Sequence, residues 1–275
     1  MALSPSAFEW VCGLVRRESA IVLEPGKEYL VESRLVPLAR AAGASDVSAY
    51  IDGVRVRGDR RSQAAIIEAM TTNETSFFRD QAPFTAFTSH ILPAVKQARR
   101  TTRTLRIWSA ACSTGQEAYS LAMLLSDTVA EGWRVQIVGT DLSTECVEKA
   151  RSGKYSQLEV NRGLPAPMLV KNFRRAGAQW EVNDNLKKMA TFQTMNLMSP
   201  YTALGRFDIV FLRNVLIYFD VATKRDILQR VRRVLAPDGF VLLGGAETTL
   251  GVDDGWDREM IGRVSVHRPK NGGLK

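Results

Sequence analysis

LRIWSAACSTGQEAYSLAMLL occupies residues 105–125 of this 275-residue chain. A hydrophobic run from Leu105 to Trp108 passes into small residues from Ser109 to Gly115. Ala118, Leu121, Ala122 and Leu125 then follow at helical spacing. Strand, small-residue turn and helix form the opening unit of a doubly wound nucleotide-binding fold. Small side chains let a ligand approach the backbone, and Gly115 permits the turn into the helix. There is no G-x-G-x-x-G, and Glu117 falls in the first helical turn, where the pyrophosphate of a dinucleotide would lie. An acid there repels phosphate and attracts a cation. The turn therefore predicts a nucleoside with a positive tail, and S-adenosylmethionine, with its ammonium and sulfonium, fits that description. An ordinary strand-to-helix turn, with Glu117 complementing the helix dipole, accounts for the same residues.

The length accommodates one large domain, or a large and a small one, with a substantial core. A hydrophobic fraction of 45% and a charged fraction of 24% are ordinary for a soluble globular protein. No apolar run approaches the roughly 20 residues of a membrane span. The opening MALSPSAFEW lacks a basic segment followed by an apolar core, so no secretory signal and no membrane insertion are expected. Cys12, Cys112 and Cys146 are odd in number and show no metal-ligand spacing, which favours a reducing compartment. Only two histidines, His90 and His267, are present, so no metal site is expected. These features together predict a cytoplasmic protein. The net charge of +8 suits nucleic acid, an acidic membrane surface or an acidic protein. Residues 1–100 carry a net +2 and residues 101–275 a net +6, with no polybasic tail and no arginine run interleaved with aromatics.

Residues 6–71 read as helices. Ser6 with Glu9 forms a capping-box pattern, and Phe8, Val11, Cys12 and Val15 make one apolar stripe. Tyr29, Leu30, Leu35 and Leu38 continue in helical register, with Pro37 expected to kink or end that helix early. Asp46 and Asp59 cap two further helices. The opposite faces carry Arg34, Arg40, Arg55, Arg57, Arg60 and Arg61, a solvated surface or a docking face for an acidic helix. TTNETSFFRD, residues 71–80, is a polar loop leading into two aromatics, as an N-cap or as a loop folded over a ligand.

From Leu105 onward strand and helix alternate, which argues for a parallel sheet with helices on both faces. Arg134 to Gly139 forms the second strand and ends at Asp141, placed to accept both ribose hydroxyls and to cap the next helix. Residues 153–190 break the rhythm with helical turns and a small hairpin around Ala176-Gly177-Ala178. A strand from Met189 ends in Asn196-Leu197, and Phe207 to Leu212 ends in RNVLIYF. A helix from about Ala222 to Leu235 stops at Pro237-Asp238-Gly239. Phe240 to Leu243 is the next strand, and Val264 to Val266 is a last, antiparallel one.

TTNETSFFRD, AACSTGQEAYS, GTDLS, MNL, FLRNVLIYF and APDGFVLLGGAET, together with the helical opening, resemble the chemotaxis receptor methyltransferases of the CheR family. The resemblance covers nearly the whole chain. It implies an all-α domain at 1–75, then an α/β, doubly wound class I methyltransferase domain at 76–275, with a small antiparallel β-subdomain inserted at about 170–193. It implies methyl transfer from S-adenosylmethionine to receptor glutamates, leaving S-adenosylhomocysteine, with the cytoplasmic helical domain of chemoreceptors as partner, no nucleic acid, and a monomer. Carried over by residue, Asn73, Thr75 and Arg79 form the loop over the cofactor. Glu117 meets the methionine amino group, and Asp141 the ribose. Asn196 and Leu197 border the adenine, with Arg213 and Asn214 at the end of the next strand. Arg79 and Tyr218 present the substrate carboxylate, and Arg34 and Arg40 face the receptor. Pro37 interrupts a stretch that is more basic in the family. The short Ala176–Gln179 turn implies docking without a receptor C-terminal tether.

The chemistry is consistent with that resemblance. A glutamate, with a pKa of about 4.3, is ionised at pH 7 and needs no general base. A lysine acceptor, at about 10.4, would first have to lose a proton at roughly 4–5 kcal/mol. No base stands beside the site motifs, and the fourth strand ends in Arg-Asn, not the Asn/Asp-Pro-Pro-Tyr of amino-group methylases. Two other functions remain open at this level: methylation of another acceptor such as a nucleic acid, and a non-catalytic module that senses the cofactor.

Overall fold

Four helices build the first of two compact units in the computed structural model, which describes residues 3–270. This unit comprises residues up to 72 with 218–223. Its helices are α1 (Pro5–Ser19), α2 (Glu28–Ala41), α3 (Val47–Arg57) and α4 (Arg60–Met70). The first begins earlier than Ser6: Ser4 is the N-cap, its Oγ accepting from Ala7 N at 3.3 Å. Pro5 at the first helical position already holds the required φ and lacks an N–H that would need a partner. Helix α2 does not end at Pro37 but continues one turn to Ala41, while Leu35 and Ala39 bury one face on either side of the proline. Tertiary burial there outweighs the one helical hydrogen bond that proline removes. Asp46 and Asp59 cap α3 and α4 as expected, with Ala49 N donating to Asp46 at 2.8 Å and Arg61 N to Asp59 at 3.0 Å. Val11, Leu14, Val31, Leu35, Ile51 and Ile66 close the core.

The second unit comprises residues 73–217 and those from 224 onward, so the division falls three residues before the expected 75/76 boundary. Its opening helix is interrupted. Between α5 (Ala82–Ala86) and α6 (Leu92–Ala98), residues Phe87–Ile91 widen into a π turn in which Leu92 N reaches back to Phe87 O. The wide turn ends two residues before Pro93, which has no N–H to offer. The alternation that follows is β1 (Thr104–Ala110), α7 (Gln116–Ala130), β2 (Arg134–Asp141), α8 (Thr144–Ser152), β3 (Lys154–Tyr155), α9 (Gln157–Asn161), α10 (Ala166–Asn172), β4 (Phe173–Ala176), β5 (Gln179–Val182), α11 (Asp184–Lys187), β6 (Ala190–Thr194), β7 (Phe207–Leu212), α12 (Val221–Val234), β8 (Leu235–Leu243), β9 (Trp256–Ile261) and β10 (Val264–Pro269).

Seven of these strands form one sheet in the order β6-β2-β1-β7-β8-β10-β9. The first five are parallel, and β10 runs antiparallel to both β8 and β9. The strand order reverses between β1 and β7, and the crevice at the carboxyl ends of strands flanking such a switch point is where ligands bind in doubly wound sheets. Strand β9 was not anticipated. Its side chains between Trp256 and Ile261 are exposed, so the run carries little hydrophobic signal. Strand β8 also starts earlier than expected, at Leu235, with a register shift opposite Phe207–Ile209 that takes in Pro237-Asp238-Gly239. At the opposite, amino-terminal edge Arg99 forks onto Asp238 at 2.6 and 2.8 Å and reaches Asp208 at 2.7 Å. The hydrogen bond from Arg99 holds the Asp238 carboxyl below its ordinary range.

The small antiparallel sheet is β3-β5-β4. It draws Lys154–Tyr155 from upstream of the expected 170–193 insertion, and a two-residue stretch is too short to show a period in sequence. Gly177 and Ala178 form its hairpin turn, with a positive φ of 63° at Gly177.

His267, in the middle of β10, is fully buried, and burial pushes its pKa down to about 4 with Arg258 adding repulsion. The unfolded chain binds this proton near the ordinary value of about 6.5, so between those two values the unfolded state holds more protons and stability falls as pH falls. Thermal melts from pH 7 to pH 4 are expected to show a shallower acid loss for His267→Leu than for the wild type; parallel curves would remove His267 as the source.

Candidate active site

The turn after β1 is built from small residues in unusual backbone conformations. Ala111 and Ser113 have φ values of 53° and 50°, and Gly115 of 92°. A Cβ on Gly115 would stand 2.8 Å from the Ala150 Cβ, so both the dihedral and the packing require glycine. Ser113 N donates to Asp141 Oδ2 at 2.7 Å, and Ser143 N to Oδ1 at 3.0 Å, which fixes the acid at the tip of β2. Ser113 Oγ donates to Asn73 O at 2.8 Å and draws in the 73–80 loop. From the small sheet, the Tyr155 hydroxyl donates to Thr114 O at 2.8 Å, and its ring packs edge-on to Phe77 at 5.0 Å. Three segments distant in sequence thus converge on one turn.

Glu117 lies in the first turn of α7, and its carboxylate accepts from Ser109 Oγ at 2.7 Å and Arg213 Nη1 at 2.9 Å. Arg213 is the centre of the arrangement. Its side chain is 2% exposed, and Nη2 donates at 2.9 Å to both Arg79 O and Asp80 Oδ2. The guanidinium carbon lies 5.6 Å from the Phe84 ring centroid. A buried guanidinium is tolerable only when paired and hydrogen-bonded, and here two carboxylates and a carbonyl meet it. One cation between two acids leaves a local charge of −1, which still favours a cationic ligand group.

The remaining sequence candidates fall into two sets. Asn73, Thr75 and Arg79 lie on the loop beside this cluster, and Arg79 Nη1 donates to Glu74 O at 2.6 Å. Glu74 in turn pairs with Arg162. Asn196 follows β6, with Met198 N donating to its Oδ1 at 2.8 Å, and Leu197 is buried. Asn214 follows β7 with a φ of 58°. These residues belong to the second unit. Tyr218 ends the one-turn helix Leu216–Tyr218, is half-buried, and groups with the helical unit, where its carbonyl accepts from Val22 N at 2.9 Å. Arg34 and Arg40 are in the helical unit too, and they differ. Arg34 donates to Met70 O, Thr71 O and Thr72 Oγ1 at 2.7, 3.0 and 2.9 Å, closing the carboxyl end of α4. Arg40 is exposed.

Sequence reasoning passed over Ser109, Asp80 and Glu247. Asp80 had a signal, since it adjoins Arg79 in the same polar loop. Glu247 accepts hydrogen bonds from Asn214 N, Val215 N, Leu216 N and Gly244 N, and nothing local marks it. Among the described residues, five of the seven non-glycine positions with positive φ are Phe78, Asp80, Ala111, Ser113 and Asn214, all in these segments. Such strain persists only where the surroundings over-determine it, and it concentrates at functional sites. Cys112, beside the cluster, is no nucleophile: burial, with the Asp141 and Glu117 carboxylates adding, pushes its thiol pKa well up.

Comparison with known proteins gives consistent matches. The model of the CheR methyltransferase SAM binding domain matches residues 73–262, and that of the CheR methyltransferase all-alpha domain residues 6–71. Chemotaxis protein methyltransferase 1 of Pseudomonas aeruginosa is 37% identical over 277 residues, covering 98% of this chain and 100% of that protein. The chemotaxis protein methyltransferase of Vibrio parahaemolyticus is 39% identical over 259 residues, covering 92% of this chain and 93% of its own. That of Escherichia coli is 36% identical over 253 residues, covering 90% and 86%.

Removing the central cation would leave Glu117 and Asp80 facing each other. Arg213→Met is expected to lower unfolding stability by about 3–5 kcal/mol, the range for breaking a buried ion pair by removing one partner. A urea titration measures it; a loss under about 1 kcal/mol would mean that the cluster relaxes into solvent.

Proposed function

The chain belongs to the CheR methyltransferase family, and from that premise we propose that it methylates glutamate side chains on the cytoplasmic helical domain of chemoreceptors, giving glutamyl methyl esters. It is an S-adenosylmethionine-dependent methyltransferase: a SAM binding domain model spans residues 73–262. The residues present fit that cofactor. A carboxylate at the head of α7 suits the ammonium, an acid at the tip of β2 suits ribose hydroxyls, and small residues between them let the nucleoside lie against backbone. Bound there, S-adenosylmethionine supplies a methyl group on a positively charged sulfur.

The observation that carries the substrate reading is the match to chemotaxis protein methyltransferases over nearly the whole chain, joined to a chemistry that asks for positioning groups and needs no base. An ionised glutamate, pKa about 4.3, attacks without prior deprotonation. Alignment supplies the acceleration, and holding reactants in register can be worth roughly 7–11 kcal/mol. Arg79, tethered by Glu74 O, has further guanidinium N–H groups to hold the carboxylate. Tyr218 orients it by a hydrogen bond. Arg40, with the exposed Arg55, Arg57, Arg60 and Arg61, offers an acidic receptor helix a complementary face, while Arg34 serves the α4 terminus. Among the described residues no helix is long and apolar enough to cross a membrane, in keeping with action on a receptor's cytoplasmic part. The two-residue hairpin turn supports docking without a receptor tether.

Incubation with labelled S-adenosylmethionine and chemoreceptor helical fragments is expected to yield alkali-labile label released as methanol. Base-stable label, or label on nucleic acid, would refute the glutamyl ester. Glu117→Gln keeps an acceptor toward Arg213 but loses the charge, and is expected to raise the cofactor Kd about tenfold or more, a difference of roughly 1.4 kcal/mol. Calorimetry showing unchanged affinity would move the ammonium site elsewhere. Tyr218→Phe is expected to lower kcat with cofactor affinity within about twofold; a parallel loss of affinity would place Tyr218 at the cofactor instead.

A further inference from the structure

Glu247 lies beyond β8, thirty residues and more from the segment it holds. Its Oε1 accepts from Val215 N at 2.8 Å, Leu216 N at 2.6 Å and Ile217 N at 3.3 Å. Its Oε2 accepts from Asn214 N at 2.8 Å and Gly244 N at 2.6 Å. Its own N–H donates to Gly244 O at 2.9 Å, closing the turn that follows β8. One carboxylate thus gathers five backbone donors from the ends of two adjacent parallel strands. A carboxylate is suited to this because it is acceptor-only, with about four lone-pair directions. The donors belong to residues just past β7, where Asn214 has a left-handed φ of 58° and the N–H groups of four successive residues converge on one point. Without an anion that convergence is unfavourable, since successive amide dipoles repel. Gly244 is part of the device: a Cβ there would lie 2.7 Å from Glu247 Oε2 and 2.8 Å from Asn214 N. Neither the cofactor-facing acids nor the Arg213 cluster makes any of these bonds.

We propose that Glu247 is a positioning residue for methyl transfer: it sets the backbone of Asn214–Ile217, and so the segment between Arg213 and Tyr218, without itself touching cofactor or acceptor. The role rests on the glutamate-methylation reading for its substrate and on the fold alone for its mechanics. Transfer to a carboxylate depends on alignment, and a misplacement of about 1 Å can cost on the order of a hundredfold in rate. A brace acting on this segment is therefore felt in turnover more than in cofactor binding.

The test compares wild type, Glu247→Gln and Gly244→Ala. Glutamine keeps the length and offers one oxygen acceptor, so its NH2 faces at least one group of donors. Alanine at 244 keeps the carboxylate and forces it away from Asn214, and it keeps the proposal testable should the glutamine variant fail to fold. Both are expected to lower kcat on receptor fragments by about tenfold or more. The Kd for S-adenosylmethionine and the KM for the fragment should stay within about twofold. Hydrogen exchange should quicken at the amides of 214–217 and 244, while those of β1 and β7 keep their protection. Faster exchange with unchanged kcat would overturn the proposal, as would a loss of cofactor affinity matching the loss of kcat/KM, or unchanged exchange. Failure of the wild type on those fragments would instead overturn the substrate reading, and the exchange data would still decide the brace.

Discussion

A single buried guanidinium holds the carboxyl-terminal edge of this sheet together. Arg213 follows β7 at the topological switch point and is met by Glu117 from the head of α7, Asp80 from the 73–80 loop, and the carbonyl of Arg79. Its burial has a structural consequence. A charge removed from water must be satisfied by nearby acceptors, so the loop and the helix are obliged to come to it. Once they do, the 73–80 loop lies against the small-residue turn, where Ser113 reaches Asn73 O. The site is therefore assembled by electrostatic necessity at one strand end.

The same edge carries most of the backbone strain in the described residues. Phe78, Asp80, Ala111, Ser113 and Asn214 all adopt left-handed dihedrals that non-glycine residues avoid. Three of the five are held by hydrogen bonds at their own N–H: Ser120 Oγ accepts from Phe78 N, Asp141 from Ser113 N, and Glu247 from Asn214 N. Strain of this kind exposes N–H groups and side chains in directions that regular structure cannot supply. Three acids hold these segments: Glu117 meets Ser109 and Arg213, Asp141 meets the backbone of Ser113 and Ser143, and Glu247 meets the backbone after β7 and β8.

Much of this was legible in the residues. The alternation from Leu105 onward, the helical opening and the caps at Asp46 and Asp59 came from periodicity and short-range chemistry. Glu117 and Asp141 stood out because each sits at a fixed offset from a turn. Pro37 does not end its helix because the cost of a proline is local while the burial of Leu35 and Ala39 is tertiary. Strand β9 escaped because its middle side chains are exposed, and β3 because two residues show no period. Arg34 read as a surface cation because its acceptors, Met70 O and Thr71 O, lie on another helix.

By itself the sequence determined the helical opening, the strand–helix alternation from Leu105, the small-residue turn and the acids beside it, since each depends on neighbours a few residues apart. Only the tertiary structure decided which charges meet. Arg213 finds Glu117 and Asp80 across 96 and 133 residues, and Glu247 finds the turn after β7 across about thirty. No spacing rule reaches that far; the parallel sheet brings those strand ends within hydrogen-bonding distance, and the buried Arg213 guanidinium then draws its acceptors from Glu117, Asp80 and the Arg79 carbonyl.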